Sequence, residues 1–479
     1  MLEYWRNGIS AVTPQCESDG AEDLLLVQRH SRCKLFIVTA VAAFVIYNLN
    51  FRTITQVDTV PAGYVAWALL HGQGFDLSVY MANPAHLAEY ANQVVHRGRG
   101  DRWVSKYPPG SAILALPFYG AACLFSRDMP SSRSAMNRLG KQVAAFYCAL
   151  ATAFFLLVVA RSFPSAAVPA AVLFGFGTCV WSTASQALWT HGPAVCCICV
   201  GLWFLLSERE DTPPRSAFLG GLALGMGILC RPSVAILLLG AGAGLAIARQ
   251  WKAVAGLCLG AAAPVSGLVL YNLHYTASTM SGGYGKEASM WSTPLWLGLA
   301  GLTIAPSRGL FVFTPAAIVS LFGAAELIRR RLNVTDCTRW ILLGLGCGAG
   351  LTIVVYAKWH CWSGAWCYGP RFLTEIMPVV CLFFAAGYAR LPSLLARRLA
   401  IVLVGLSVFI HTLGVAADGR FWHSRHYVGK HATDLFRLED NQIGAYLRYL
   451  VEKSQKMISG ENGKEDRQPR LNENGVSSP

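Results

Sequence analysis

The chain has 479 residues, of which 54% are hydrophobic and 14% charged, and its mean hydropathy is +0.41. Soluble globular domains carry about 25% charged residues, so this composition excludes an ordinary water-soluble domain and makes lipid the main solvent. The formal charge of +14 would point to nucleic acid in a soluble protein, but here the basic residues sit in short clusters between apolar runs, the positive-inside pattern of membrane proteins, and nucleic acid is excluded as a partner.

Residues 1–33 contain Glu3, Asp19, Glu22 and Asp23 ahead of any apolar run, unlike the basic-then-apolar layout of a cleaved signal peptide. They read as a cytoplasmic segment before a first helix that is retained as an anchor. A helix needs about 20 mostly apolar residues to cross a bilayer, and it must be a helix because lipid offers no partner to free backbone groups. The apolar runs predict spans at 34–51, 143–160, 165–184, 193–207, 216–230, 233–248, 253–271, 310–328, 339–357, 372–389 and 399–416. Arg231-Pro232 breaks the pair 216–230 and 233–248. The expected fold class is all-α and polytopic, with about eleven transmembrane helices over residues 34–416.

The apolar segment 111–125 follows the rigid turn Tyr107-Pro108-Pro109-Gly110 and is expected to lie in the interface rather than across the membrane. Counting it as a span would move the middle basic clusters outside. With it excluded, the inner side receives Arg29, Arg32, Lys34, Arg161, Arg209, Arg215, Arg249, Lys252, Arg329, Arg330, Arg331, Arg390, Arg397 and Arg398. The outer side receives a long first extracytoplasmic loop, 52–142, then 185–192, 272–309 and 358–371. Residues 417–479 read as a polar C-terminal tail whose end, 459–479, has a disordered composition.

Candidate chemistry lies in those outer segments. Asp58, in the first loop with Arg52, Asp76 and Lys106, reads either as a carboxylate beside the bilayer, able to take a proton from an acceptor, or as an ordinary loop carboxylate facing water. Asp76 reads as an ordinary solvated carboxylate. Arg308, in Pro306-Ser307-Arg308-Gly309 ahead of a predicted helix, suits an anion, because guanidinium and helix-end N–H groups both donate. Snorkelling to the interface is its other reading. The fourth outer region carries Trp359, Trp362, Trp366 and Tyr368, then Gly369-Pro370-Arg371 leading straight into a helix. Interfacial aromatics are expected at any membrane boundary; their faces also serve as platforms for sugar rings. His191, after Trp189, either binds a phosphate or acceptor or caps its turn. Cys361 and Cys367 share this outer region as a disulfide or as two thiols. Most of the other cysteines sit in apolar runs as small hydrophobes. No His or carboxylate cluster has metal-ligand spacing, no nucleotide-binding loop occurs, and no cofactor is expected.

The order of these elements resembles the GT-C superfamily of polytopic glycosyltransferases, which includes the protein O-mannosyltransferases and the aminoarabinose transferase of lipid A. The resemblance covers most of residues 34–416. It is carried by Asp58 in the first loop, Tyr107-Pro108-Pro109-Gly110, Arg308 before a mid-chain helix, and Trp362-Ser363-Gly364-Ala365-Trp366-Cys367-Tyr368-Gly369-Pro370-Arg371, which is similar to the WxGGxxYGPR stretch of bacterial members. Two positions depart from the pattern: Thr59 follows Asp58 where the mannosyltransferases have a second acid, and Ala365 stands for the second glycine. The resemblance implies a membrane glycosyltransferase of inverting type in the cell inner (plasma) membrane. Its donor would be a polyprenyl-phosphate sugar reached through membrane lipid, and its acceptor a glycan, lipid or protein. Asp58 would be the catalytic base, Arg308, Arg371 and Lys106 would bind the donor phosphate, and Arg52, His191, Trp362, Trp366 and Tyr368 would bind substrate. A transporter or lipid flippase is the alternative; it would place ionisable groups within spanning helices.

Overall fold

The computed structural model describes residues 18–82, 86–125, 130, 132–206, 210–279, 281–417, 419–426 and 432–459. Most of the predicted cytoplasmic segment 1–33 and nearly all of the tail end 459–479 lie outside the described residues. Helices of nine or more residues are, in chain order, α1 Ser18–Asn48, α2 Pro61–Leu70, α3 Gly110–Cys123, α4 Arg133–Ser162, α5 Ala167–Phe176, α6 His191–Leu205, α7 Pro214–Cys230, α8 Val234–Ile247, α9 Trp251–Tyr275, α10 Leu295–Thr303, α11 Ile318–Ile328, α12 Asp336–Lys358, α13 Met377–Arg390, α14 Leu394–Ala416 and α15 Gln442–Ile458. The one sheet among the described residues is a hairpin of β1 Val95–Arg97 and β2 Trp103–Ser105. The protein is an all-α membrane protein.

Among the described residues, six helical segments are long and apolar enough to cross a bilayer: Ser31–Asn48, Arg133–Ser162, Trp251–Tyr275, Asp336–Lys358, Arg371–Arg390 and Leu394–Ala416. The other five predicted spans coincide with shorter apolar helices. Two of these are shortened by breaks. The predicted span 165–184 stops being α-helical after Phe176 and resumes as a π turn over Val180–Ala184. The predicted span 310–328 is interrupted at Thr314-Pro315, where proline supplies no N–H to the helix ladder. The expected break at Arg231 is present, with extended backbone between α7 and α8.

Lipid shows in the inverted amphipathicity of α14. Leu395, Leu399, Val402, Leu406 and Phe409 recur at helical spacing and are all exposed, while Ala400, Val404, Ser407, His411 and Gly414 on the other face are buried. An exposed apolar stripe of this length belongs against acyl chains rather than water. Between helices, association rests on close backbone approach through glycine. Gly221 and Gly225 of α7 face Leu257 and Ala261 of α9, Gly256 and Gly260 of α9 face Pro214 and Phe218 of α7, and Gly240 and Gly244 of α8 face α12 at Gly344 and Trp340. Any Cβ at Gly344 would overlap the carbonyl of Gly240. Such small-residue seams replace the hydrophobic drive that lipid cannot supply.

The first predicted outer loop, 52–142, is a folded unit with its own core of Tyr64, Trp67, Leu77, Tyr80, Val95 and Tyr119. Its segments meet the predicted outer segment 272–309, where Arg99 bonds the carbonyl of Thr276, and the end of α14, where Arg52 bonds that of Ala416. At predicted inner positions, Glu326 collects Arg329, Arg331 and Arg390. The predicted polar tail, 417–479, includes a helix. Residues 442–458 form α15, whose first turns bury Gln442, Ala445 and Tyr446 against the bundle.

Substituting Gly344→Leu is expected to destabilise the protein by roughly 1–3 kcal/mol, as overpacking does in a close-packed interior, with Gly344→Ala smaller in effect. Thermal unfolding of the purified variants in detergent measures both, and an unchanged midpoint for the leucine variant would remove the α8–α12 seam as a determinant of stability.

Candidate functional site

Asp58 sits in a one-turn 3-10 helix, Val57–Thr59, fixed at both ends. The Thr59 hydroxyl donates to the carbonyl of Gln56 and accepts from its N–H, and Pro61 starts α2 immediately afterwards. Lys106 extends the β hairpin, its N–H bonding the carbonyl of Val94 at 2.9 Å. Tyr107 follows, and Gly110 ends the turn where any side chain would overlap the Leu229–Cys230 peptide. Glycine is therefore required there, and the contact brings the first loop against the end of α7, one residue before Arg231.

The opposing wall is the loop 359–371. Gly364, Ala365 and Gly369 all have left-handed backbone, with φ of 79°, 53° and 71°. This loop delivers Arg371, whose Nη1 lies 2.7 Å from Asp58 Oδ2 and whose guanidinium stands 4.5 Å from the Trp189 ring. Burial disfavours the charged form of Asp58. Arg371, hydrogen bonds from Tyr107 and Arg371, and Lys106 outweigh it, so the carboxyl titrates below its ordinary range. The Tyr107 hydroxyl is pushed well above its usual value by burial and by the neighbouring Asp58 charge.

A cavity of about 630 Å³ opens beside this pair. Asp58, Lys106, His191, Arg231, Glu287 and Arg371 all line it, with apolar walls from Ile236, Leu268, Val355 and Phe372. Two further charge clusters involve its lining residues. Lys106 Nζ lies 2.7 Å from both oxygens of Glu287. Glu375, fully buried, accepts from His191 Nδ1 at 2.6 Å and pairs with Arg231 Nε at 2.8 Å. Arg231 also donates to Thr190 Oγ1 at 3.2 Å and to the Tyr356 hydroxyl at 2.6 Å. Arg371 Nε and Glu375 Oε2 are buried without a hydrogen-bond partner.

Of the residues singled out from sequence, Asp58, Lys106, His191 and Arg371 converge on this cavity. Arg52, Trp366 and Tyr368 instead line a second cavity of about 460 Å³, together with Gln56, Arg138, His423 and Tyr446. Trp189 lines both. Arg308 lines neither. It is fully buried and donates to the carbonyls of Ser307, Ser363 and Ala365 and to Gln442 Oε1, so its guanidinium braces the loop that carries Arg371. Trp362 is buried too, against Gly301 and facing Phe436 rather than a cavity. Cys361 and Cys367 are separate thiols, and among the described residues no cluster of His, Cys, Asp or Glu could hold a metal ion.

Sequence reasoning missed Arg231, Glu287 and Glu375. Arg231 was readable as more than a break, since it lies between two apolar runs, and Glu375 is an acid inside one. No protein-family model matches the chain, and no curated protein matches it.

Two outcomes follow from the site geometry. Because the folded-state pKa of Asp58 is depressed, the stability it contributes is present above its unfolded value of about 3.9 and is lost as pH falls through the folded value. The difference in melting temperature between wild type and Asp58→Asn should therefore persist from pH 7 to about pH 5 and close only in stronger acid. A difference that closes near neutrality would contradict the ion pair. Ala365→Gly should leave the protein as stable or raise its stability by about 1 kcal/mol, by relieving a left-handed alanine, while Ala365→Val should lower it. Melting temperatures of the two variants check this.

Proposed function

We propose that the protein is a polytopic membrane glycosyltransferase, resembling the GT-C superfamily, that moves a sugar from a polyprenyl-phosphate donor to an acceptor at the extracytoplasmic face of the cell inner membrane. The observation that carries this reading is the composition of the larger cavity. Its walls of Ile236, Leu268 and Val355 come from the helices α8, α9 and α12, and its charges, Asp58, Lys106 and Arg371, come from connecting segments at one end of the bundle. An amphiphile with a phosphate head and an isoprenoid tail matches both parts.

In this reading the donor phosphate is held by Arg371, whose buried Nε lacks a partner, and by Lys106. The acceptor occupies the second cavity, where Arg52, Trp366 and Tyr368 line the wall. Its hydroxyl or amine attacks the anomeric carbon from the face opposite the phosphate. The carbon–oxygen bond to phosphate breaks, its electron pair leaves with the polyprenyl phosphate, and the acceptor proton passes to Asp58. A carboxylate held anionic by Arg371 is a weak base before reaction, but it is placed to accept a proton as the nucleophile becomes positive. Arg371 and Lys106 offset the charge that develops on the leaving phosphate. Arg308, assigned to the phosphate from sequence, supports the loop instead.

Removing the acid should abolish most turnover. Asp58→Asn in lipid is expected to lower sugar transfer by roughly 10²–10⁴-fold, the range for a general base, with donor binding retained. Transfer at the wild-type rate would end this assignment. Movement of a sugar-free lipid across the membrane of proteoliposomes without acceptor would favour a flippase.

A further inference from the structure

Each Lys or Arg side chain that lines the larger cavity already has a carboxylate: Arg371 has Asp58, Arg231 has Glu375, and Lys106 has Glu287. An entering phosphate must therefore compete with one of them. The three pairs are not equal. Glu375 is buried between Arg231 and His191, and separating it would leave uncompensated charge in a dry site. Asp58 is held by Tyr107 as well as Arg371. Glu287 is the most exposed of the three acids, its side chain 36% accessible, and a pair at such a position is the cheapest to exchange.

The segment that carries Glu287 is built to reach Lys106. Ser281, Gly282, Gly283, Tyr284, Glu287 and Ala288 line the cavity. A Cβ at Gly283 would overlap the Lys106 backbone, so glycine lets the two strands of chain touch. The Tyr284 ring stands 5.8 Å from the Lys106 ammonium and 6.1 Å from the Tyr107 ring. Both Glu287 oxygens face the ammonium at 2.7 Å, as two oxygens of a phosphate would. Lysine accepts either, since it acts as a point charge without a fixed fork.

We propose that Glu287 is a resident substitute for the donor's phosphate: it holds Lys106 and the segment 281–288 over the cavity, and the phosphate of a lipid-phosphate donor displaces it. This rests on the lipid-phosphate reading of the cavity. Displacement makes and breaks no covalent bond; it exchanges one anion for another on Lys106 and releases the strap through Tyr284 and Glu287.

The test is direct binding of a short-chain prenyl phosphate to the full chain in lipid nanodiscs by titration calorimetry, with inorganic phosphate alone in parallel. Glu287→Gln should bind the prenyl phosphate roughly two- to fivefold more tightly than wild type, the fold-change that release from a partly exposed ion pair is worth. Glu287→Asp should fall between the two. Lys106→Ala should bind more weakly, and adding Glu287→Gln to it should change nothing further. Equal or weaker binding by Glu287→Gln, or a gain that survives in the Lys106→Ala background, overturns the proposal. Inorganic phosphate binding as tightly as the prenyl phosphate would assign a soluble anion and also overturn it. Absence of any prenyl phosphate binding by folded wild type, judged by its melting temperature, would instead bring down the lipid-phosphate reading itself.

Discussion

The contact between Asp58 and Arg371 is where the architecture closes. One partner belongs to the folded unit between α1 and α4, the other to the loop between α12 and α13, and they are joined at 2.7 Å. Each is set by constraints on its own side. Asp58 is fixed by the Gln56–Thr59 bonds and Pro61. Arg371 is delivered by a loop with three left-handed residues, and such backbone persists only where its surroundings over-determine it. Arg308 and Gln442 supply that determination. Gln442 Oε1 accepts from Arg308 and from the N–H of Gly369, while its Nε2 donates to the carbonyl of Cys367. The C-terminal helix thus reaches the candidate site through two buried side chains, and Arg371 is placed by residues far away in sequence.

A second consequence of charge pairing is that the larger cavity carries its cations in compensated form. Burying three unpaired cations would cost far more than the fold could offset, so the folded protein needs Asp58, Glu287 and Glu375. The same acids limit how strongly any anion can bind, because each must be displaced, shared or tolerated. The cavity therefore differs from a plain basic pocket: any anion entering it would meet three ion pairs that differ in burial, from the enclosed Glu375 to the partly open Glu287.

How much of this was legible in the sequence depends on the range over which each residue's partner lies. Asp58, Lys106, His191 and Arg371 were found because their signals are local: a charge beside an apolar run, a Pro-Pro-Gly turn, a Gly-Pro-Arg sequence entering a helix. Charge parity was the ground for expecting the predicted outer segments to share one side. Arg308 shows the limit. A Pro-Ser-Arg-Gly turn ahead of a helix is equally suited to bind phosphate or to bond backbone carbonyls, and the choice is made by Ser363, Ala365 and Gln442, the last 134 residues away. Arg231 carried a local signal, Pro232, that explained the helix break and so hid its buried pairing with Glu375. Trp362 and Trp366 look alike in sequence, yet one is core and the other lines a cavity, because the left-handed turn at Gly364 and Ala365 separates them.

The departure at Ala365 joins these threads. Position 365 resembles a glycine site, and the structure gives the physical reason: its φ of 53° is one that glycine adopts without penalty. Alanine accepts the strain because the residue is held from outside, its carbonyl bonded by Arg308 Nη2 at 3.0 Å, while Ala365 itself borders the larger cavity. Arg308 therefore does two things that a phosphate ligand could not do at once. It satisfies carbonyls exposed by a tight loop, and it stabilises a backbone geometry that the side chain at 365 opposes. A fully buried guanidinium with four of its five N–H donors spent on these acceptors is committed to the loop, and the cations that line the larger cavity are Arg371, Lys106 and Arg231.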